Sequence, residues 1–230
     1  TFTSLEEAIA KAEAGEVIEL INNISSSEII VINKPITLDG NGYKLTSSAA
    51  RAINVSEASG VTIKDLTIVA SGERAINVIN NSTDVVIDGV VAQAANYAVN
   101  VAGSAAGAKV TIVNSDLTGL NTVNVAAKNV LVTVKDSTIL CDDQTPVENY
   151  SALALAVEAE GSKIIATNTA ITVNGDSAKG SVGCENGTIT IDGSESGVVK
   201  AVAYISYGNN AYTFTSLEEA IAKAEAGEVI

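Results

Sequence analysis

The chain has no histidine, methionine or tryptophan, and only two prolines, two phenylalanines and two cysteines. Each scarcity excludes something. Cys141 and Cys184 lie far apart, in no CxxC pair and with no histidine to complete a ligand set, so no zinc motif is present. The basic residues number 13 against 27 acidic ones, a net charge of −14. Nucleic acid is excluded as a partner, because phosphate contacts need clustered Lys and Arg. No apolar run reaches about 18 residues, so no segment spans a membrane. Sugar-binding platforms favour aromatic rings, tryptophan above all, and aromatic residues make up only 3 % of this sequence.

What remains is aliphatic. Hydrophobic residues reach 47 %, mostly Val, Ile, Ala and Leu, the profile of many stacked strands with small side chains. The ends stand apart. Thr1 to Ile18 reads TFTSLEEAIAKAEAGEVI, and Thr213 to Ile230 repeats it letter for letter. Such a copy points to one period of a tandem array followed by the start of the next; a duplication introduced by design is the alternative. The segment predicts a short amphipathic helix. Ser4 to Glu7 reads as a capping box, Leu5, Ile9 and Ala12 share one face, and Gly15 is placed to end the helix. Residues 1–212 are then one module and 213–230 the start of a second. Leu5, Ile9, Ala12 and their copies Leu217, Ile221, Ala224 are the expected junction residues. Any targeting signal is expected outside these residues.

Between the copies the sequence is a ladder. Ala52-Ile53-Asn54-Val55 aligns with Ala75-Ile76-Asn77-Val78, Ala98-Val99-Asn100-Val101, Thr122-Val123-Asn124-Val125 and, more loosely, Ala154-Leu155-Ala156-Val157. A second strand recurs between them, as at Val61-Thr62-Ile63 and Val85-Val86-Ile87. It is closed each time by a turn residue: Asp39-Gly40, Asp65, Asp88-Gly89, Asn114, Asp136, Asn168 and Asp192-Gly193. Asp, Asn and Gly tolerate the backbone of sharp corners. A period near 24 residues, with short strands and one corner each time, predicts an all-β parallel solenoid of seven or eight coils. Period-2 alternation puts Ile53 and Val55 inside and Ala52 and Asn54 outside. The last step of the ladder is longer, which places a projecting loop at residues 142–150.

The pattern resembles the right-handed parallel β-helix of the pectin-lyase-like superfamily. It is most similar to the tandem-repeat versions in microbial surface and adhesin proteins, where a helix of the form S-L-E-E-A-I (here Ser4 to Ile9) precedes an I-T-L-D-G-N-G segment (here Ile36 to Gly42). The resemblance covers the whole chain and implies a fold more than a function, since this superfold also hosts lyases and hydrolases.

The enzymatic pattern is thin. Arg51 and Arg74 stack one coil apart, but Tyr97 follows them and no carboxylate cluster shares the column. Asp142-Asp143 resembles a hydrolase pair without the basic and histidine companions. No calcium loop motif appears, and the Thr-x-Thr rows of an ice-binding face are missing. Tyr204, Tyr207 and Tyr212 read as packing near the second copy. Sequons at Asn23, Asn54, Asn81, Asn149 and Asn186 matter only in a glycosylating host. Asn54, Asn77, Asn100 and Asn124 are expected to chain their amides along the axis. Cys141 and Cys184 are candidates for a disulfide. The expectation is a non-enzymatic structural module of an extracellular or cell-surface fibre, without cofactor or metal, partnered by copies of itself. The alternatives are an adhesin or carbohydrate-binding module using the 142–150 loop or the Ala/Asn face, and, further off, a polysaccharide lyase or hydrolase.

Overall fold

The computed structural model describes residues 1–142, 153–174, 182–184, 186–196, 203–207, 210–214 and 221. They form a parallel β-solenoid whose chain visits three sheets in turn, once per coil. The first sheet stacks Val17–Glu19, Thr37–Asp39, Thr62–Lys64, Val85–Asp88, Lys109–Val113, Leu131–Lys135, Lys163–Thr167 and Thr188–Ile191. Ser194–Ser196 then folds back antiparallel on the last of these. The second stacks Ile24–Ser26, Lys44–Ser47, Thr67–Ala70, Val91–Ala94, Asp116–Gly119, Thr138–Asp142 and Ala170–Asn174. The third stacks Ile30–Ile32, Arg51–Ser56, Arg74–Ile79, Tyr97–Val101, Asn121–Val125, Leu153–Val157 and Val182–Cys184.

Register puts like on like. The first sheet aligns Leu38, Ile63, Ile87, Ile112 and Val134. The second aligns Leu45, Ile68, Ala92, Leu117 and Ile139, and the third Ile53, Ile76, Val99, Val123 and Leu155. All are buried. Three aliphatic columns thus meet along one axis, about 4.8 Å per step. The end members Ile18, Ile24, Ile171, Val182 and Ile191 are less than fully covered; among the described residues each has a parallel strand neighbour on one side only.

The corner after the first sheet is where the turn residues were expected. Asp65, Gly89, Asn114, Asp136, Asn168 and Asp192 all have φ between 46 and 63°, a left-handed conformation that costs most L-residues roughly 1–2 kcal/mol and Asn, Asp and Gly least. Gly40 needs its small size for another reason: a Cβ there would lie 2.5 Å from the Asp65 carbonyl oxygen of the next coil.

Two expectations are corrected. Strict alternation fails at Ala52–Ile53: both are buried, as are Ala75–Ile76, Ala98–Val99, Thr122–Val123 and Ala154–Leu155. Two successive buried positions break the period of 2, and four of the five first positions hold alanine, which is small. Thr122, alone polar in that column, donates its hydroxyl to the Gly119 and Leu140 carbonyls at 3.0 and 2.6 Å. The second correction concerns the helix. It spans Leu5–Lys11 and stops before Gly15, with Ala12 already extended. The Lys34 ammonium takes the Ala10 and Ala12 carbonyls at 3.2 and 2.9 Å, satisfying terminal groups that otherwise need a glycine cap. Gly15 (φ 87°) instead turns the chain into the first strand, its N–H donating to Pro35 at 2.6 Å.

Candidate functional site

The site is the first coil with its helix. Ser4 caps the helix, its hydroxyl accepting the Glu7 N–H at 3.1 Å. The Glu7 carboxylate reaches past Ser4 to the Thr3 N–H and hydroxyl, at 3.4 and 3.2 Å. Thr1–Thr3 is thereby drawn against the helix start. Leu5, Ala8 and Ile9 are buried and Ala12 half-covers the core beside them. All three N-terminal junction residues therefore lie against the end of the solenoid.

Cover is incomplete. Among the described residues, Val17–Glu19, Ile24–Ser26 and Ile30–Ile32 each have a strand neighbour on one side only. Between Thr1–Thr3, the helix and residues 16–24 lies a groove of about 800 Å³. Phe2, Val17 and Ile21 line it, exposed by 52, 60 and 58 %. Sequence reading missed this groove. The available signal was that both phenylalanines of the chain sit in the duplicated segment, as Phe2 and Phe214.

Later in the sequence, Ala203–Tyr207 and Asn210–Phe214 pair as an antiparallel hairpin, which contains Tyr204, Tyr207 and Tyr212. Ile221 is 58 % exposed, whereas its copy Ile9 is 4 % exposed. Of the three junction residues expected in the second copy, Ile221 alone is described. Leu217 and Ala224 lie outside the described residues.

The asparagines form the expected chain. Asn77 donates to Asn54 at 3.0 Å, Asn100 to Asn77 at 2.7 Å and Asn124 to Asn100 at 3.0 Å. Asn77, Asn100 and Asn124 are only 2–3 % exposed, and Ala52, Ala75 and Ala98 are fully buried. The flat Ala/Asn face proposed as a partner surface is therefore corrected to a buried column. Beside it Arg74 lies over the Tyr97 ring, 5.2 Å from its centroid, and pairs with Glu73 at 2.9 Å. Its Nε is buried without a hydrogen-bond partner. Burial pushes the Tyr97 phenol up, the Glu158 charge adds to that, and the Arg74 charge opposes it. The predicted Arg51–Arg74–Tyr97 column is present in register.

Cys141 and Cys184 are buried thiols in different sheets. Cys141 donates to the Leu120 carbonyl at 3.1 Å and Cys184 accepts the Gly187 N–H at 3.3 Å. Asp142 accepts from Asn174 at 2.9 Å; residues 143–150 of the expected loop lie outside the described residues. Among the described residues no group of three or more acidic or cysteine side chains is placed to hold a metal ion, and no helix is long and apolar enough to cross a membrane. Comparison with protein-family models, characterised proteins and solved structures finds no match. What the structure bears out of the expected architecture is the parallel β-solenoid.

Proposed function

We propose that this chain is a non-enzymatic structural module of a fibre or stalk outside the cell or at its surface, joined head to tail to copies of itself, with a right-handed coil. The observation that carries the reading is the letter-for-letter return of Thr1–Ile18 at Thr213–Ile230. It is supported by a physical argument about ends. A solenoid's terminal coils expose apolar core and unpaired strand edge, which invites uncontrolled association. Here the first coil keeps an apolar groove and three one-sided strands, and a module placed in front would cover them. The same segment then closes one unit and founds the next.

The test is electron microscopy of the native full-length protein. The solenoid body, seven strands deep in two of its sheets, is on the order of 35 Å long at strand spacing. Rods with an axial repeat of at least that length, one per module, support the reading. Isolated particles with no array refute it.

A further inference from the structure

The sequence boundary between the two periods falls inside a strand. Asn210–Phe214 pairs with Ala203–Tyr207, Phe214 opposite Ala203 and Thr213 opposite Tyr204. Thr213 and Phe214 are the first two letters of the duplicated segment. Their copies Thr1 and Phe2 are not in a strand. Identical residues thus take different structures at the two ends. Residues 203–212 stand in front of Thr213, and Ala203–Tyr207 among them supplies the strand on which Thr213 and Phe214 pair.

We propose that the groove at the N-terminal end is the seat of the hairpin of a preceding module, which enters it through a strand ending at Phe2. This deepens the array reading and rests on it. Two observations select that occupant. Thr1 and Phe2 line the groove already, so a strand continued backward from them begins inside it. That covalent link gives the hairpin a high effective concentration at the seat. The chemistry also matches: residues 203–212 carry Tyr204, Ile205, Tyr207 and Tyr212, strand-favouring residues with large apolar surface, and the groove presents Phe2, Val17 and Ile21. The joint is therefore a strand shared by two periods, rather than a helix acting alone as a lid.

The test adds residues 203–212 directly in front of Thr1 of the full chain and compares it with the unextended chain. Hydrogen exchange should slow at least about tenfold at Phe2 and at Val17–Ile21, and binding of an apolar dye at the N-terminal end should fall. In the extended chain Phe2→Ser should restore fast exchange; in the unextended chain it should change nothing. Val17→Ser, across the groove, should restore exchange in part, and serves if the Phe2 variant does not fold. Unchanged exchange in an extended chain that is folded and monomeric overturns the joint. So does association of two extended chains through these ends, read by sedimentation. Those outcomes leave the array standing, whereas microscopy without rods removes the array whatever the exchange shows.

Discussion

Asn100 is the residue on which the interior of the ladder turns. It donates to Asn77 and accepts from Asn124, and all three are buried. Asn100→Ala strands an acceptor on one neighbour and a donor on the other. Each orphaned buried group costs about 1–3 kcal/mol, so a loss of about 2–4 kcal/mol is expected from urea unfolding. Asn54→Ala, at the end of the chain of amides, orphans only the Asn77 donor and should cost about half as much. Equal costs for the two would mean that the amides act singly. The corner carboxylates respond to pH instead. Asn168 donates to Asp136 at 2.7 Å and holds its carboxyl below the ordinary 3.8; slight desolvation opposes this, and Lys135 adds to the lowering. At Asp39 desolvation is the largest influence and raises the pKa, but the Lys64 ammonium and the Asn41 N–H together outweigh it. A depressed folded-state pKa gives stability that is present above the ordinary value and lost as pH falls through the folded one. The chain should therefore lose stability as pH drops below about 4. Asp136→Asn should flatten part of that loss. It is conformationally safe, because Asn114 and Asn168 already take the same left-handed corner. A urea midpoint series from pH 7 to 3 reads the difference; identical slopes for the two chains would refute it.

The helix and the copy of its sequence give an internal control at the level of the element. Ile9 and Ile221 stand in identical sequence, and intrinsic helix propensity is the same for both. They differ in cover, 4 % against 58 % exposed. A seven-residue helix is too short to be stable through its own hydrogen bonds, so packing must decide its worth. Ile9→Ala should cost about 2–4 kcal/mol, the usual loss for a buried large-to-small change. Ile221→Ala should stay within about 0.5 kcal/mol, as for an exposed site. Denaturant midpoints of the two variants check this, and equal losses would mean that both copies pack alike. The same reasoning explains why the helix stops early. Ala12, Glu13 and Ala14 are adequate helix formers, yet Lys34, on the coil behind, binds the Ala10 and Ala12 carbonyls and lets the chain leave the helix. No local pattern announces a partner 22 residues away.

For the whole molecule, what repeats was legible and what depends on a neighbour was not. Ile53, Ile76, Val99 and Val123 recur at nearly constant spacing with period-2 flanks, so the columns and the solenoid follow from the sequence. The left-handed corners follow too, because few residues other than Asp, Asn and Gly tolerate them. The burial of Ala52 did not, since alanine suits either face of a strand. Nor did the groove: Val17 and Ile21 are of the same residue types as the core, and residue type does not say which of them stays exposed. This dependence on neighbours sets the last prediction. In a linear repeat, stability is a sum of unit terms and nearest-neighbour interface terms. A chain of two modules, the second beginning at Thr213, has one internal joint that a single module lacks. If the modules are beads on a string, its urea midpoint and slope equal those of one module. If the joint is seated, the two unfold together, so the slope rises toward twice the single-module value because more surface is exposed in one step, and the midpoint rises as well. We expect the second result. Phe214→Ser at the internal joint should then return both quantities to the single-module values, while the same change at the exposed Phe2 should leave them unaltered.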